Sequence, residues 1–264
     1  MDLQLKRKKA LVTGSTAGIG FATARALAAE GASVVVNGRT QKRVDSAIAE
    51  IRKAHPSADL SGVAADVSNR EGCAKLIQAV PEVDVLVNNM GIFEPKPFEK
   101  ISDEDWMRFF EANVMSGVRL SRHYLPGMRQ KNWGRIIFIS SESAVQIPAE
   151  MIHYGVTKTA QIAVARGISE TVAGTGITVN SVLVGPTRSE GAETFISQMV
   201  AQKGSDSASF EKEFFKNIRP SSLLQRFEST DEVANMIVYL SSPLASATNG
   251  AAVRVDGGVI RAIL

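Results

Sequence analysis

The stretch KALVTGSTAGIG, Lys9–Gly20, decides the fold class of this chain. Its apolar start, Lys9–Thr13, is typical of a buried strand, and the alanine-rich run Ile19–Glu30 is typical of a helix. Three glycines with the spacing G-x-x-x-G-x-G lie between them: Gly14, Gly18 and Gly20. A pyrophosphate pressed against such a turn leaves no room for Cβ atoms, and the free N–H groups of the helix start attract phosphate. The stretch therefore predicts a phosphate-binding turn between a strand and a helix.

Strand-like and helix-like segments alternate along the rest of the chain. The further predicted strands are Ser33–Asn37, Asp59–Ala65, Val83–Asn88, Arg135–Ser140, Ile177–Leu183 and Ala251–Val255. The predicted helices are Gln41–Ala54, Arg70–Val80, Asp103–Asn113, a continuation to about Arg129, Ile152–Ala173 and Thr230–Leu240. This alternation predicts an α/β, Rossmann-like, doubly wound parallel sheet of about seven strands with helices on both faces. We expect residues 1–264 to form a single domain.

The segment Thr187–Arg226 interrupts the alternation. It is long, contains glycine and serine, and carries scattered large apolar side chains: Phe195, Met199, Phe210, Phe214 and Phe215. We expect a helical lid over a substrate site. Packing of these side chains on the domain or on a neighbouring subunit is the alternative.

The composition is that of a globular chain with nearly balanced charge. Of 264 residues, 44% are apolar and 22% are charged, and 30 basic against 27 acidic residues give a net charge of +3. Without a basic stripe interleaved with aromatic residues, this balance argues against a nucleic-acid partner. Cys73 is the one cysteine, which excludes an internal disulfide and a thiolate cluster. Because Met1–Lys9 lacks a signal-peptide core and no apolar run approaches about 18 residues, we expect a cytoplasmic protein without a membrane partner.

Three residues form a candidate catalytic set. Tyr154 and Lys158 are four positions apart, so they share one face of a helix, and Ser141 follows a predicted strand. A carbonyl that accepts hydride at carbon needs a proton at oxygen, which a tyrosine can donate as a general acid. An ammonium about 5 Å from the phenol favours phenolate by roughly 3 kcal/mol, or about 2 pKa units. We therefore expect Lys158 to lower the pKa of Tyr154, and Ser141 to bind the substrate oxygen.

In these features the chain resembles the short-chain dehydrogenase/reductase family, in its compact single-domain branch, over nearly its whole length. The residues that carry the resemblance are Thr13–Gly20, Asp66, Asn88-Asn89-Met90-Gly91, Asn113, Ser141, Tyr154, Lys158 and Asn180–Thr187. Two positions depart from the family pattern: Met90 replaces an alanine, and Val184-Gly185-Pro186 replaces a proline–glycine pair. We expect Met90 to crowd the ribose side of the site, and the second change to alter the loop facing the nicotinamide.

The resemblance implies roles for further residues. Asp66 and Val67 would hold adenine, Asn88 and Gly91 would line the ribose path, and Asn113 would hold a water that relays protons from Lys158. The predicted cofactor-binding residues are Gly14, Ser15, Gly18, Ile19, Gly20, Arg39, Asp66, Val67, Asn88, Gly91, Tyr154, Lys158, Gly185 and Thr187. The resemblance also implies a homodimer or homotetramer, with Ile152–Ala173 and Val259–Leu264 as candidate contacts.

The end of the second predicted strand indicates which nicotinamide cofactor is preferred. An acidic residue there would bind the ribose 2′-hydroxyl and repel a 2′-phosphate, but this chain has Asn37-Gly38-Arg39. A guanidinium grips a phosphate with two hydrogen bonds, and Ser15 could add a hydroxyl. We therefore expect NADP(H) rather than NAD(H). The alternative is that Arg39 is a solvated charge that stacks on adenine whichever of the two cofactors binds.

These observations predict an NADP(H)-dependent oxidoreductase that acts on a ketone or secondary alcohol as its small-molecule partner. A 3-oxoacyl-[acyl-carrier-protein] reductase of fatty-acid synthesis is a narrower alternative, and a non-catalytic NADP(H)-sensing regulator is an alternative from another class. We expect His153 to lie at the surface or the substrate rim and Glu142 to be a solvated loop carboxylate. His55 and His123 have no partners at ligand spacing, so no metal site is expected.

Overall fold

The computed structural model describes residues 1–193, 197 and 206–263, and a parallel sheet with seven strands forms the centre of that part. The sheet strands are β1 (Lys9–Val12), β2 (Ser33–Gly38), β3 (Leu60–Ala64), β4 (Val85–Asn88), β5 (Gly134–Ser141), β6 (Ile177–Val184) and β9 (Ala252–Val255). Two short strands, β7 (Thr187–Arg188) and β8 (Glu228–Ser229), pair separately. The sheet order is β3-β2-β1-β4-β5-β6-β9, which confirms the predicted doubly wound α/β fold.

Helices cover both faces of this sheet. They are α1 (Gly18–Ala29), α2 (Gln41–Ala54), α3 (Arg70–Ala79), α4 (Asp103–Phe110), α5 (Ser116–Lys131), α6 (Ile152–Glu170), α7 (Ser207–Asn217) and α8 (Thr230–Ser241). Side chains at their first residues fix several of the starts. The Ser102 hydroxyl accepts from the Asp105 N–H at the start of α4, and the Ser229 hydroxyl accepts from the Glu232 N–H at the start of α8.

Alternate residues of each central strand face opposite layers of the core. In β1, Ala10 and Val12 join one buried cluster with α1, α2 and α8, whereas Leu11 joins a second cluster with α3, α5 and α6. In β5, Ile137 and Phe138 divide in the same way. Because both faces are buried, these strands are apolar at nearly every position rather than at every second one.

One predicted helix boundary is wrong in an informative way. The helix expected over Asp103–Asn113 leaves α-geometry after Phe110 and continues through a π-helical turn, Glu111–Met115, directly into α5. Hydrophobic periodicity does not reveal such a turn, because the chain stays helical on both sides of it. π-turns of this kind are frequent at functional sites, and this one contains Asn113.

The predicted lid segment is described in part. Phe195 and Met199 lie outside the described residues. Phe210 and Phe215 of α7 are buried and pack with Phe227 in a small aromatic cluster of their own. Within the described ranges, no helix is long and apolar enough to cross a membrane.

Candidate active site

The carboxyl ends of β1, β4, β5 and β6 open onto a cavity of about 510 Å³. The strand order turns in opposite directions from β1 and β4, which leaves a crevice between the connections. Many residues predicted to bind cofactor or substrate line this cavity: Gly18, Ile19, Arg39, Gly91, Ser141, Tyr154, Lys158, Gly185 and Thr187. The fold therefore gathers residues that lie far apart in the sequence into one site.

The turn between β1 and α1 requires its glycines for its own backbone. Gly18 has a φ of 57°, a left-handed conformation that favours glycine. A Cβ added to Gly20 would lie 2.5 Å from the Gly14 carbonyl oxygen and from Asn89 Nδ2. Asn89 Nδ2 in turn donates to the carbonyl oxygens of Thr13 and Gly14, at 2.9 and 3.2 Å. We expected a bound pyrophosphate to require these glycines, but the folded turn already requires them without one.

The expectation that the Ser15 hydroxyl binds phosphate is wrong. Ser15 is fully buried, and its Oγ donates to the Val12 carbonyl oxygen (2.7 Å) and accepts from the Asn37 N–H (2.9 Å). The Asn37 side chain is equally engaged, because its Nδ2 donates to the carbonyl oxygens of Val63 and Ala65, both at 3.1 Å. Both side chains therefore connect β2 to the strands beside it.

Thr16, Arg39 and Arg43 lie at this end of the cavity. A Cβ on Gly38 would lie 2.4 Å from Thr16 Cγ2, so Thr16 packs directly on the end of β2. Arg43 Nη2 binds both carboxylate oxygens of Glu190, at 2.8 and 2.9 Å. Arg39 is exposed and forms no ion pair within the described ranges. Its guanidinium is therefore the better candidate for an added phosphate.

The other residues predicted to hold the cofactor do not line this cavity. Asp66 Oδ1 accepts from the Ser68 N–H at 3.1 Å, and Val67 is buried. Asn88 Nδ2 donates to Ser121 Oγ at 3.3 Å, while its Oδ1 is buried without a partner in the described part of the chain. The roles proposed for these residues in binding adenine and ribose stay predictions.

Met90 does not crowd the site as we expected. Its N–H donates to Thr13 Oγ1 at 3.0 Å, and its side chain packs against the second core cluster, beneath the sheet edge. The larger residue is accommodated because its side chain points into the core. The second departure does border the cavity, since Val184 and Gly185 both line it.

The candidate catalytic residues meet in the wall of this cavity. Tyr154 and Lys158 extend from the first turns of α6, and Ser141 ends β5. Lys158 Nζ donates to the carbonyl oxygen of Ile139 at 2.8 Å and lies 5.6 Å from the centre of the Tyr154 ring. The Ser143 N–H donates to Ser141 Oγ at 3.1 Å, which orients the serine side chain.

Burial dominates the titration of this pair. It raises the pKa of Tyr154 to about 12, although the hydrogen bond with Ser141 and the charge of Arg219 act in the opposite direction. Burial also lowers the pKa of Lys158 to about 7. The expected lowering of the Tyr154 pKa by Lys158 is therefore wrong: burial raises this pKa, and Lys158 is not among the groups that act on it.

Asn113 is held in place by its side chain and bonded through its main chain. Its Nδ2 donates to Ile92 O and Thr157 Oγ1, and its Oδ1 accepts from the Ile92 N–H. Its carbonyl oxygen accepts from Gln161 Nε2 at 2.6 Å, and Gln161 Oε1 accepts from Lys158 Nζ at 3.3 Å. A side-chain amide thus bridges Asn113 and Lys158 directly, and the relay role of Asn113 stays a prediction.

A second cavity of about 340 Å³ adjoins the first across Ser141 and Tyr154. Its walls are largely apolar and include four phenylalanine rings: Phe93, Phe210, Phe214 and Phe227. Helix α7 supplies two of these rings, Phe210 and Phe214. A compound held here would meet Tyr154 on one side and the first cavity beyond it.

The expectation that Glu142 is solvated is wrong. Its side chain is 5% exposed, and its Oε1 accepts from Arg219 Nε at 2.8 Å in the wall of the second cavity. The Glu142 carboxylate raises the pKa of Arg219 against the opposing effect of burial. Because Arg219 lies far from Glu142 in the sequence, no local sequence pattern predicts this ion pair.

His153 is also placed differently from our expectation. It is fully buried, its ring lies 4.0 Å from the Phe109 ring centre, and Trp106 contacts its edge. Both ring nitrogens lack a hydrogen-bond partner in the part of the chain that the structure describes. Burial lowers the pKa of His153, which favours the uncharged ring. The side chain therefore packs as part of the core between α4 and α6. No group of three metal-ligating side chains occurs among the described residues.

Comparison with known proteins agrees with this geometry. Residues 8–199 match the family model described as short chain dehydrogenase. The chain belongs to the short-chain dehydrogenase family. It is thus an oxidoreductase of the class that acts on alcohol and carbonyl groups with a nicotinamide cofactor.

Similar proteins cover this short-chain dehydrogenase along its whole length. An uncharacterized oxidoreductase of Bacillus subtilis, YvaG, is 48% identical over 263 residues and is covered completely, as is this chain. A D-beta-hydroxybutyrate dehydrogenase of Cupriavidus necator is 32% identical, with 96% of this chain and 98% of the relative covered. The L-sorbose reductase of Gluconobacter frateurii, solved with NADPH and L-sorbose, superposes with a TM-score of 0.94 at 31% identity, with both chains fully covered.

Sequence reasoning missed several residues of this short-chain dehydrogenase site. Thr16 follows Ser15 directly, and Arg43 is four positions after Arg39. Gln161 is three positions after Lys158 on the same face of α6. These could have been found from spacing. Arg219 could not, because only the fold brings it to Glu142.

Proposed function

We propose that this short-chain dehydrogenase is an NADP(H)-dependent oxidoreductase that interconverts a ketone and a secondary alcohol, with Tyr154 as general acid and base. The observation that carries the proposal is the position of Tyr154 and Ser141 in the wall shared by the two cavities. A nicotinamide in the first cavity and a carbonyl compound in the second would meet at these hydroxyls. Lys158 lies behind them, in the first cavity.

Each residue of the set has a chemical task. The bound nicotinamide supplies or accepts the hydride. During reduction the Tyr154 hydroxyl donates its proton to the substrate oxygen, and Ser141 Oγ donates a hydrogen bond to the same atom. Lys158 keeps one of its three N–H donors for a ribose hydroxyl, because its described bonds go to Ile139 and Gln161. Positive charge close to the phenol would oppose the burial that keeps Tyr154 protonated.

The preference for NADP(H) rests on Arg39 and on the neutral end of β2. The L-sorbose reductase that superposes on this chain was solved with NADPH, which supports the same preference here. We expect Arg39→Leu to raise the KM for NADPH about tenfold and to leave the KM for NADH within about twofold. The exposed neighbour Lys42, which does not line the cavity, serves as the control as Lys42→Leu. An equal change for both cofactors would contradict the assignment of Arg39 to the 2′-phosphate.

Turnover tests the catalytic assignment. NADPH consumption is measured across ketones, diketones, steroids, sugars and acyl thioesters, and Tyr154→Phe is compared on the best substrate. We expect the variant to lose about a thousandfold in kcat, with the Kd for NADPH unchanged within about threefold. Lys158→Ala should weaken both turnover and binding. Normal turnover by Tyr154→Phe would contradict the mechanism.

Reduction of an acyl-carrier thioester is a second candidate function. A 3-oxoacyl-[acyl-carrier-protein] reductase of Aquifex aeolicus is 30% identical over 263 residues, with 98% of this chain covered. Turnover of an acetoacetyl thioester above every simple ketone would favour it. Binding of NADPH without turnover of any carbonyl compound would instead favour a sensing role. We also propose that each subunit is a single domain with α7 as a lid over the substrate. The subunits would form a homodimer or homotetramer, and light scattering at several concentrations tests this oligomeric state.

A further inference from the structure

The ion pair between Glu142 and Arg219 is the main polar feature of the second cavity. Glu142 follows Ser141 directly at the end of β5, and Arg219 lies just beyond α7. The two side chains are 5% and 10% exposed, and both line the cavity beside Tyr154. A buried pair of this kind faces whatever substrate the cavity holds.

The charges around this pair do not cancel. Arg219 Nη1 also approaches Glu150 Oε1, at 3.4 Å, so two carboxylates share one guanidinium. Among the described residues that line the cavity, these three are the charged ones, and they sum to one negative charge. The remaining walls are mostly apolar and include several aromatic rings, which hold carbon skeletons without regard to charge. An anionic group entering here would meet net repulsion.

The Glu142 carboxylate lies close to the reacting atoms. Ser141 Oγ donates to Glu142 Oε2 at 3.4 Å, and this hydroxyl would turn its proton to the substrate oxygen when substrate binds. Because a hydrogen bond between two oxygens spans about 2.8 Å, the reacting oxygen would lie within roughly 6 Å of Glu142. A substituent two or three bonds away from the carbonyl carbon can therefore contact this carboxylate.

We propose that Glu142 selects uncharged substrates that carry a hydroxyl group two or three bonds from the carbonyl carbon, and that it excludes carboxylates at the same place. The inference rests on the proposed function, since it assumes that the substrate oxygen binds Ser141 and Tyr154. The hydroxyl donates to Glu142 Oε2, whereas a carboxylate there would oppose an existing carboxylate. Arg219 Nε donates to Glu142 Oε1 at 2.8 Å and so holds the carboxylate in the wall of the cavity.

Three ketones with one carbon skeleton test this selection with NADPH in the wild-type protein. They are butanone, acetoacetate, and the hydroxybutanone in which a terminal CH₂OH replaces the carboxylate of acetoacetate. We expect kcat/KM for the hydroxybutanone to exceed that for butanone about tenfold and that for acetoacetate about a hundredfold. A wild-type preference for acetoacetate over the hydroxybutanone would overturn the inference.

Glu142→Gln separates selection from a purely structural role. The change removes the charge, keeps the side-chain shape and leaves Arg219 able to bind an anion. We expect kcat/KM to rise about tenfold for acetoacetate and to fall about tenfold for the hydroxybutanone. The preference for the hydroxybutanone over acetoacetate therefore falls about a hundredfold. Glu150→Gln is the matched control, because its carboxylate is 47% exposed and therefore screened by water, and we expect the ratio of kcat/KM values to shift by less than about threefold.

The ratio of kcat/KM for the hydroxybutanone to kcat/KM for acetoacetate distinguishes substrate selection from a structural role. Glu142 and Arg219 also act on the pKa of Tyr154, and a change in that pKa would alter both substrates by one factor. Equal factors in Glu142→Gln would therefore overturn selection and leave the pair a structural tie between β5 and the segment after α7. Should Glu142→Gln fail to bind NADPH, Arg219→Gln decides, since it should penalise acetoacetate further. If neither variant folds, the wild-type order of the three ketones decides alone.

The same measurement separates this inference from the proposed function. Wild-type protein that binds NADPH but reduces none of the carbonyl compounds would overturn the proposed function and this inference with it. Turnover of the hydroxybutanone with an unchanged substrate ratio in Glu142→Gln would overturn this inference alone.

Discussion

Lys158 is a charged group that the fold holds almost entirely out of water. Its ammonium is 4% exposed and is bonded to one main-chain carbonyl oxygen and one side-chain amide. Burial lowers its pKa from 10.5 to about 7, so the protein releases a proton that the unfolded chain keeps. The cost of keeping this group charged therefore falls in the wall of the candidate site.

This shift predicts a pH dependence of stability. Between about pH 7 and the ordinary pKa, the unfolded chain binds more protons than the folded one, so the contribution of Lys158 to stability rises with pH through this window and is lost as pH falls back to about 7. The free energy of unfolding of Lys158→Met minus that of wild type should therefore fall by about 3 kcal/mol between about pH 7 and about pH 10.

Urea unfolding without cofactor at several pH values measures this difference. The exposed Lys42→Met is the control and should differ little from wild type at each pH. A difference for Lys158→Met that does not vary with pH would contradict the shifted pKa.

At the scale of elements, the β7–β8 pair holds the loop after β6 against the start of α8. Glu228 of β8 is buried, its Oε1 has no hydrogen-bond partner in the described ranges, and Asp256 lies close enough to repel it. Burial, helped by Asp256, raises the pKa of Glu228 to about 8. The neighbouring Glu232 behaves oppositely, since hydrogen bonds from Arg226 lower its pKa to about 2.

Glu228→Gln should therefore stabilise the protein in alkaline solution. Between the ordinary pKa of 4.5 and about 8 the folded state binds more protons, so wild type loses stability as pH rises through this window. We expect the variant to exceed wild type by about 1–3 kcal/mol at about pH 9 and to match it closely at about pH 5. Glu232→Gln should have the opposite sign near neutral pH, and thermal or urea unfolding of both variants measures the contrast.

At the scale of the whole molecule, the candidate site lies at the carboxyl end of the sheet, and a buried structural contact lies at the amino end. Arg135 lies near the amino end of β5, about 20 Å of strand away from Ser141. It is 2% exposed, donates to the carbonyl oxygens of Ser242 and Gly176, and stacks on Trp133. One side chain thus ties β5 to the end of α8 and the start of β6.

Loss of this tie should destabilise the fold without touching the site. Arg135→Met would leave buried carbonyl oxygens unpaired, so we expect the free energy of unfolding to fall by about 2–4 kcal/mol. The Kd for NADPH of the folded protein should stay within about twofold. Arg129→Met, which removes bonds from an exposed arginine to Thr171, is the matched control and should cost below about 1 kcal/mol. A weakened Kd in Arg135→Met would show that the two ends are coupled.

The sequence by itself determined the elements, their order and much of the site. Strand apolarity, the strand-to-helix turn at Gly14–Gly20 and the spacing of Tyr154 and Lys158 are local, and each predicts structure within a few residues. Parallel strands place their carboxyl ends at one edge of the sheet, so the order of strands and helices alone predicts that the residues after those strands meet there.

Only the tertiary structure decided what each of these side chains faces. The Ser15 hydroxyl is buried and bonded to Val12. Glu142 forms an ion pair with Arg219, which lies beyond α7, and His153 packs between α4 and α6. The pKa of Tyr154 likewise depends on burial by the whole fold more than on its helical neighbour. Such properties arise from partners distant in sequence and from the exclusion of water, and neither leaves a pattern along the chain.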